Sequence, residues 1–245
     1  MLKDHEDAFG HEIYDYHKGI GGSEIIERDD DYFDVSGGPN PYFSEYENWP
    51  THQQQAMEHV RGRVLDIGCG AGRHSLYLQE QGFEVVSVDN SPLAIEVCRS
   101  KGLRNAQVLS ITQITSRLGV FDSIVMLGNN FGLFGSFKRA RWLLARFHRI
   151  TSHDAMIIAE TRDPYDTDTP EHLEYHQFNR QRGRMGGQVR IRVRYKKYVT
   201  PWFDYLLASK EEMEEILDST GWVARDFLDS QIRGLYIAIF EKKVA

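Results

Sequence analysis

Short apolar runs alternate with amphipathic stretches between residues 61 and 161, the pattern of βα units that build a parallel sheet. Val64 to Ile67 is an apolar run that ends in glycines, and a helix is predicted from Arg73 to Gln81 with Gly82 as its stop. Glu84 to Asp89 reads as the second strand. The helix after it starts at Pro92 under a cap from Asn90 or Ser91 and ends at Gly102. Ala106 to Leu109 and Phe121 to Leu127 are the third and fourth strands. Ser136 then caps a helix whose Phe137, Ala140, Leu144 and Phe147 form one apolar stripe, and Ala155 to Ala159 is the fifth strand.

The pattern changes after residue 161. Ser209-Lys210-Glu211-Glu212 is a capping box that opens a helix through Met213, Ile216 and Leu217, stopped by Gly221. Trp222 to Leu228 and Leu235 to Glu241 follow with a short connection, so they must pair antiparallel. Two segments fall outside this alternating core. Residues 1 to 60 are expected to form a helical cap, with helices near Glu12 to Lys18 and Thr51 to Val60 around the turn-rich Ser36 to Pro41. Residues 162 to 208 form an insertion with two predicted strands, Gln188 to Lys196 and Val199 to Leu207. The core domain is thus expected over 61–245.

At 245 residues and 41% hydrophobic the chain is long enough for a full core. A mean hydropathy of -0.49 and the lack of any long apolar run argue against a membrane span. The opening residues, Met1 to Asp7, have neither the basic start nor the apolar stretch of a secretory signal, which predicts a cytoplasmic protein. Two cysteines, Cys69 and Cys98, cannot make a disulfide framework or a zinc site alone and are expected as free thiols. Charge is unevenly spread: residues 1 to 60 carry 14 acids against three bases, while Arg180 to Lys197 holds eight bases and no acid.

The chemistry starts at Asp66-Ile67-Gly68-Cys69-Gly70-Ala71-Gly72, a strand running into a glycine turn and then a helix. Glycines let the backbone approach a ligand, and the helix start supplies unpaired N–H groups. Asp89 ends the next strand 21 residues after Gly68, where a carboxylate can accept both hydroxyls of a ribose. Dinucleotide folds favour G-x-G-x-x-G around a pyrophosphate. Here Asp66 stands at the strand end, where it would repel pyrophosphate and suit an ammonium, so a zwitterionic nucleoside fits better than NAD.

In these residues the chain resembles the class I S-adenosylmethionine-dependent methyltransferases, with Val64 to Leu78 as their first motif, Asp89 as the ribose-binding acid and Phe121 to Leu127 as the fourth-strand motif. The resemblance implies an α/β fold with a Rossmann-like, seven-stranded, mostly parallel sheet, helices on both faces and a C-terminal antiparallel hairpin. It implies S-adenosyl-L-methionine as cofactor, with Gly68, Cys69, Gly70 and Gly72 in the turn under the methionine part, Asp89 on the ribose, Asn90 beside the adenine and Ser110 and Ile111 at the adenine edge. Cys69 is expected to pack rather than react, because methyl transfer needs no enzyme nucleophile. Leu127, Gly128 and Asn129 end the fourth strand, where methyl group and acceptor meet in this family.

Substrate-side candidates are Asn129 and Asn130, two amides between glycines, with His176 and Trp202 in the insertion. No Asn/Asp-Pro-Pro-aromatic motif occurs at Asn129, which argues against adenine N6 methylation. His172 and His176 share a face if their stretch is helical. The aromatic N-terminal segment, including Tyr14, Tyr16, Tyr42, Phe43, Tyr46 and Trp49, can hold a cation at about 0.5–2 kcal/mol per ring. In Val189 to Lys196 basic and apolar residues alternate, so Arg190, Arg192 and Arg194 share one face of a strand. That face could meet an anionic substrate, RNA phosphates, or the acidic N-terminal segment within one chain or across a dimer. A small-molecule acceptor fits the negative overall charge best. The alternatives are an RNA or protein methyltransferase that uses the basic strand, and an S-adenosylmethionine-binding protein without turnover.

Overall fold

The computed structural model describes residues 2–243. Met1, at the head of the opening segment, and residues 244–245, at the end of the expected 61–245 domain, lie outside them. In chain order the elements are α1 (Ala8–His17), β1 (Ile25–Arg28), β2 (Phe33–Val35), α2 (Thr51–Met57), β3 (Val64–Ile67), α3 (Arg73–Glu80), β4 (Val85–Asp89), α4 (Pro92–Ser100) and β5 (Ala106–Val108). They continue with β6 (Phe121–Met126), α5 (Phe137–Arg149), β7 (Thr151–Arg162), α6 (Pro170–Gln181), β8 (Gln188–Tyr195), β9 (Tyr198–Val199), β10 (Phe203–Leu206), α7 (Lys210–Leu217), β11 (Trp222–Asp229) and β12 (Leu235–Lys242).

A seven-stranded sheet runs in the order β11-β12-β7-β6-β3-β4-β5. The pairs β4 with β5 and β6 with β7 are parallel, whereas β12 lies antiparallel to both β7 and β11. This is the mostly parallel sheet with a terminal antiparallel hairpin that the sequence predicts. All four residues of β3 are buried, as a strand covered on both faces requires. Building outward from β3, the order proceeds one way through β4 and β5 and the other way through β6 and β7. In such sheets ligands bind beyond the carboxyl end of the strand where the order turns.

A second sheet has the order β10-β8-β1-β2, with β9 paired to β8. Two differences from the sequence reading meet here. The N-terminal segment, expected as helical, also contains the antiparallel pair β1 and β2, which adds to the edge of β8. The expected strand Val199 to Leu207 is interrupted, because Pro201 separates β9 from β10. β1, Ile-Ile-Glu-Arg, does not alternate in sequence, and β2 is only three residues long with Phe33 and Val35 exposed, so neither has a buried apolar face.

The chain groups into two compact units, one made of the residues up to Trp49 with Leu65–Ile114 and Arg190–Phe203, the other of Pro50–Val64, Thr115–Val189 and the residues from Asp204 onward. In the first, α1 and α4 are joined at their starts. Asp7 accepts the Gly10 N–H at 3.1 Å and the Ser91 hydroxyl at 2.8 Å, while Ser91 accepts the Ala94 N–H at 3.0 Å. Ser91, and not Asn90, is therefore the cap of α4. A Cβ at Gly10 would stand 2.3 Å from the Ser91 hydroxyl, so only glycine allows this junction. Glu27 of β1 bonds Arg192 and Arg194 of β8, and Asp15 of α1 bonds Lys196 at 2.6 Å. Those three cations of the basic strand are thus paired with two acids of the N-terminal segment of the same chain. Burial tends to raise the Glu27 carboxyl, but the two guanidiniums outweigh it and hold it below the usual range.

In the second unit, Ala140, Leu143, Leu144 and Phe147 of α5 are buried as one stripe, and the Trp222 indole donates to the Leu144 carbonyl at 3.0 Å. Ser209 and Glu212 form the expected capping box of α7. No helix among the described residues is long and apolar enough to cross a membrane.

Candidate functional site

The glycine turn follows directly from β3. Gly68, Gly70 and Gly72 have φ of 76°, 54° and 79°, the left-handed region that side-chain-bearing residues rarely adopt. Gly72 is also closed in, since a Cβ there would lie 2.9 Å from the Cys98 sulfur. Asp89, at the end of β4, accepts the Gly70 N–H at 3.0 Å and the Ser91 N–H at 2.9 Å. Burial raises the Asp89 carboxyl, and these backbone donors work in the opposite direction. A carboxylate with one bond to each oxygen keeps lone pairs for two more donors.

Asp66 is buried and accepts from the Ser75 hydroxyl at 2.6 Å, and Ser75 also meets the Ser87 hydroxyl at 2.6 Å. Burial pushes its carboxyl up to about 6, partly offset by the Ser75 bond. Cys69 and Cys98 are free, buried thiols with sulfurs 3.9 Å apart, packed with Ile95, Leu103 and Ala106. Asn90 is exposed, and its carbonyl accepts the Leu2 N–H at 3.4 Å. Ser110 caps a short 3-10 turn that contains the buried Ile111.

The N-terminal segment covers this turn. Tyr42 and Ile13 are the groups that a Cβ at Gly70 would meet, at 3.7 and 3.9 Å, and Ile13 packs with Ala71, Ala94 and Val97. Arg73, the first residue of α3, bonds the Ser44 hydroxyl at 3.0 Å and lies over the Trp49 ring at 5.3 Å. Trp49 in turn meets His74 edge-on at 4.7 Å, and burial holds the His74 ring far below its ordinary pKa. The aromatic residues at 42–49 are therefore a lid on the start of α3.

A different device organises the end of β6. Leu127 is buried, and Gly128 and Asn129 both take left-handed backbone, with φ of 72° and 66°. Asparagine enters this region more readily than other side-chain-bearing residues, and here the conformation has outside support. Glu160 of β7 supplies it: one carboxylate oxygen accepts the Gly128 N–H and, at 3.3 Å, the Asn129 N–H. The other accepts His52 at 2.9 Å and Gln53 at 3.0 Å, both from α2. Burial would raise the Glu160 carboxyl, but the bonds from His52, Gln53 and Gly128 prevail and keep it below the usual range. The Tyr205 hydroxyl donates to the Asn129 carbonyl. The Asn129 Oδ1 is left buried with no hydrogen-bond partner. Nothing lies within 4 Å of where a Cβ on Gly128 would be, so the strand end opens to space.

The other substrate-side candidates have different surroundings. His176 is buried on α6, edge-on to the Tyr165 ring at 5.3 Å, and the Trp202 ring lies under the Arg192 guanidinium at 4.6 Å. His172 shares the helix but bonds Thr167 at 3.0 Å. Among the described residues no group of three or more His, Cys, Asp or Glu is placed to hold a metal ion. Glu160, His52, Gln53 and Tyr205 were not singled out from the sequence; the one local signal is an acid at the carboxyl end of the apolar run Ala155 to Ala159.

The residues at the glycine turn fit S-adenosylmethionine by their own chemistry: bare backbone over the turn, a helix start, and an Asp89 carboxylate with acceptor capacity to spare. When bound there, the cofactor would supply an electrophilic methyl group on a sulfonium.

Several known proteins are similar to this chain. A family model described as a methyltransferase domain matches residues 64–154. The chain is 30% identical to a glycine/sarcosine/dimethylglycine N-methyltransferase of Actinopolyspora halophila over 165 residues, 60% of this chain and 29% of that protein. It is also 30% identical to a glycine/sarcosine N-methyltransferase of Aphanothece halophytica, over 63% of each. The chain thus spans less than two thirds of the length of these relatives. In fold it is similar to a SAM-dependent methyltransferase from Bacteroides fragilis crystallised with S-adenosyl-L-homocysteine, at a TM-score of 0.83 and 23% identity over 100% of this chain and 98% of that one. By its glycine turn, its sheet and the methyltransferase domain matched over residues 64–154, the chain is similar to the class I S-adenosylmethionine-dependent methyltransferases.

Proposed function

We propose that the chain transfers a methyl group from S-adenosylmethionine to the nitrogen of a small amine in the cytoplasm, with an amino acid such as glycine or sarcosine as the acceptor class. The observation that carries this reading is the Asn129 turn. A buried amide oxygen without a donor costs roughly 1–3 kcal/mol, and an amine N–H is a group that satisfies it. The names of the relatives above support the same class.

Methyl transfer is an in-line displacement in which positioning can contribute roughly 7–11 kcal/mol. Asn129 would orient the acceptor nitrogen, with Glu160 and Tyr205 holding Asn129 in its left-handed conformation. Glu160 is then a positioning residue and does not touch the substrate. Asp89, Gly68 and Gly70 would hold the cofactor. The basic strand is less suited to an RNA backbone, because Arg192 and Arg194 are engaged by Glu27.

The test is formation of S-adenosylhomocysteine by the purified protein with glycine, sarcosine and dimethylglycine, against bulk RNA and a mixed protein substrate. Turnover with at least one of the amines is expected. Turnover with RNA or protein alone would contradict the proposal.

A further inference from the structure

Two glutamates of the N-terminal segment are buried together with no cation. Glu12 on α1 is 1% exposed and Glu24, just before β1, is 2% exposed. The Glu24 N–H donates to Glu12 Oε1 at 3.0 Å, yet Glu12 Oε2 and Glu24 Oε2 receive no hydrogen bond from any other group. No ion pair among the described residues reaches either side chain. Burial, then the Glu24 carboxyl beside it, pushes Glu12 up to about 9. At neutral pH Glu12 therefore holds its proton.

Two buried carboxyl groups with unpartnered oxygens are costly unless something compensates them. Ile13, next to Glu12 on α1, reaches the covered glycine turn, where it packs with Ala71 and stands 3.9 Å from a Cβ built on Gly70. Tyr42, whose ring approaches Gly70, feels Glu24, Glu12, Arg73 and Asp89 together, and burial and these acids raise its phenol. Of the other titratable groups of α1, His11 stacks on Tyr198, Asp15 bonds Lys196 and Tyr195, Tyr16 bonds Asn40, His17 meets the Ser100 hydroxyl and Tyr14 packs with Ile13 and Ala71. The Arg73 guanidinium is committed to Ser44 and Trp49. A cation arriving over Gly70 would find an acid pair without a counter-ion.

We propose that Glu12 and Glu24 form an anionic subsite that takes up an organic cation, a sulfonium or ammonium group, at the covered glycine turn. Arrival of the cation lowers the affinity of Glu12 for its proton, so the Glu12 carboxyl becomes a carboxylate and the proton leaves to buffer. No covalent bond changes. The proposal rests on the cofactor reading of the glycine turn and adds residues outside that turn. The charge can come from either end of the cofactor or from the methyl acceptor, and the ligands below separate these sources.

The experiment is calorimetric titration at pH 8 in two buffers of different ionisation enthalpy. The wild type, Glu12→Gln and Glu24→Gln are each titrated with S-adenosylmethionine and S-adenosylhomocysteine, and with methylammonium on the S-adenosylhomocysteine complex. Proton release is expected in the wild type and absent in Glu12→Gln. Glu24→Gln is expected to bind the responsible cation at least tenfold more weakly. Release with S-adenosylmethionine alone assigns the charge to the sulfonium, release with both nucleosides to the cofactor ammonium, and release with methylammonium alone to the acceptor. No release with any of the three, with unchanged affinities in Glu24→Gln, overturns the subsite and leaves the cofactor reading standing. Wild-type protein that binds neither nucleoside removes both.

Discussion

The glycine turn and the end of β6 are built from different materials. The turn is made within one stretch of chain: three left-handed glycines after β3, with Asp89 one strand later. The end of β6 is assembled from afar, since Glu160, backed by His52 and Gln53, and Tyr205 converge on Gly128 and Asn129 from three separate segments. A cofactor common to many proteins can be held mainly by backbone. An acceptor particular to one protein needs side chains placed by tertiary structure.

The largest effect that would sharpen this contrast is at Asp89. Asp89→Ala removes one to two bonds to a charged acceptor, roughly 1.5–3 kcal/mol each, so affinity for S-adenosylmethionine should fall at least about tenfold. Titration checks it, and an unchanged affinity would remove Asp89 from the cofactor site.

Glu160→Gln should do the converse. It weakens the charged bonds that hold the Asn129 turn, so methyl transfer should fall about 10–100-fold, as expected when reacting groups are misplaced by about 1 Å. Affinity for S-adenosylmethionine should stay within about twofold. The two parameters are read from steady-state rates and titration on the same protein. The sign of its pH dependence follows from the lowered carboxyl: the stability that Glu160 contributes is present above about 4.5 and is lost as pH falls through the lower folded value. Melting curves of wild type and Glu160→Gln should therefore converge in acid.

Asp66 has the opposite sign. Its carboxyl is raised in the fold, so the folded state binds more protons than the unfolded chain between pH 3.8 and about 6, and stability falls as pH rises through that window. Asp66→Asn should then raise the melting temperature of the ligand-free protein above pH 6, by roughly 2–4 °C per kcal/mol relieved, and have little effect near pH 3. Loss of stability at neutral pH would contradict this account of Asp66. The smallest effect is expected at Arg192→Ala, whose part-exposed pair with Glu27 should be worth under about 1 kcal/mol in thermal or denaturant unfolding.

The same contrast decides what could be read from the chain. The β3–turn–α3 unit, Asp89 and the terminal hairpin are legible because their signals are local: glycine spacing, an acid at a strand end, and a short connection that forces antiparallel pairing. The pairing of the acidic segment with the basic strand was open between partners, and the register Glu27 opposite Arg192 settles it within one chain. The β1–β2 pair was missed because its apolar residues face solvent, and strand register there depends on β8, more than 150 residues away. The Glu160 clamp was missed for the same reason, since nothing near Ala159 signals that His52 and Gln53 will stand beside it.

The claim under all of this is that the glycine turn holds S-adenosylmethionine. Calorimetric titration of the purified, ligand-free protein with S-adenosylmethionine, with NADH as control, tests it most directly. Saturable binding of S-adenosylmethionine and none of NADH is the expected result; binding of NADH instead, or of neither ligand, would contradict it.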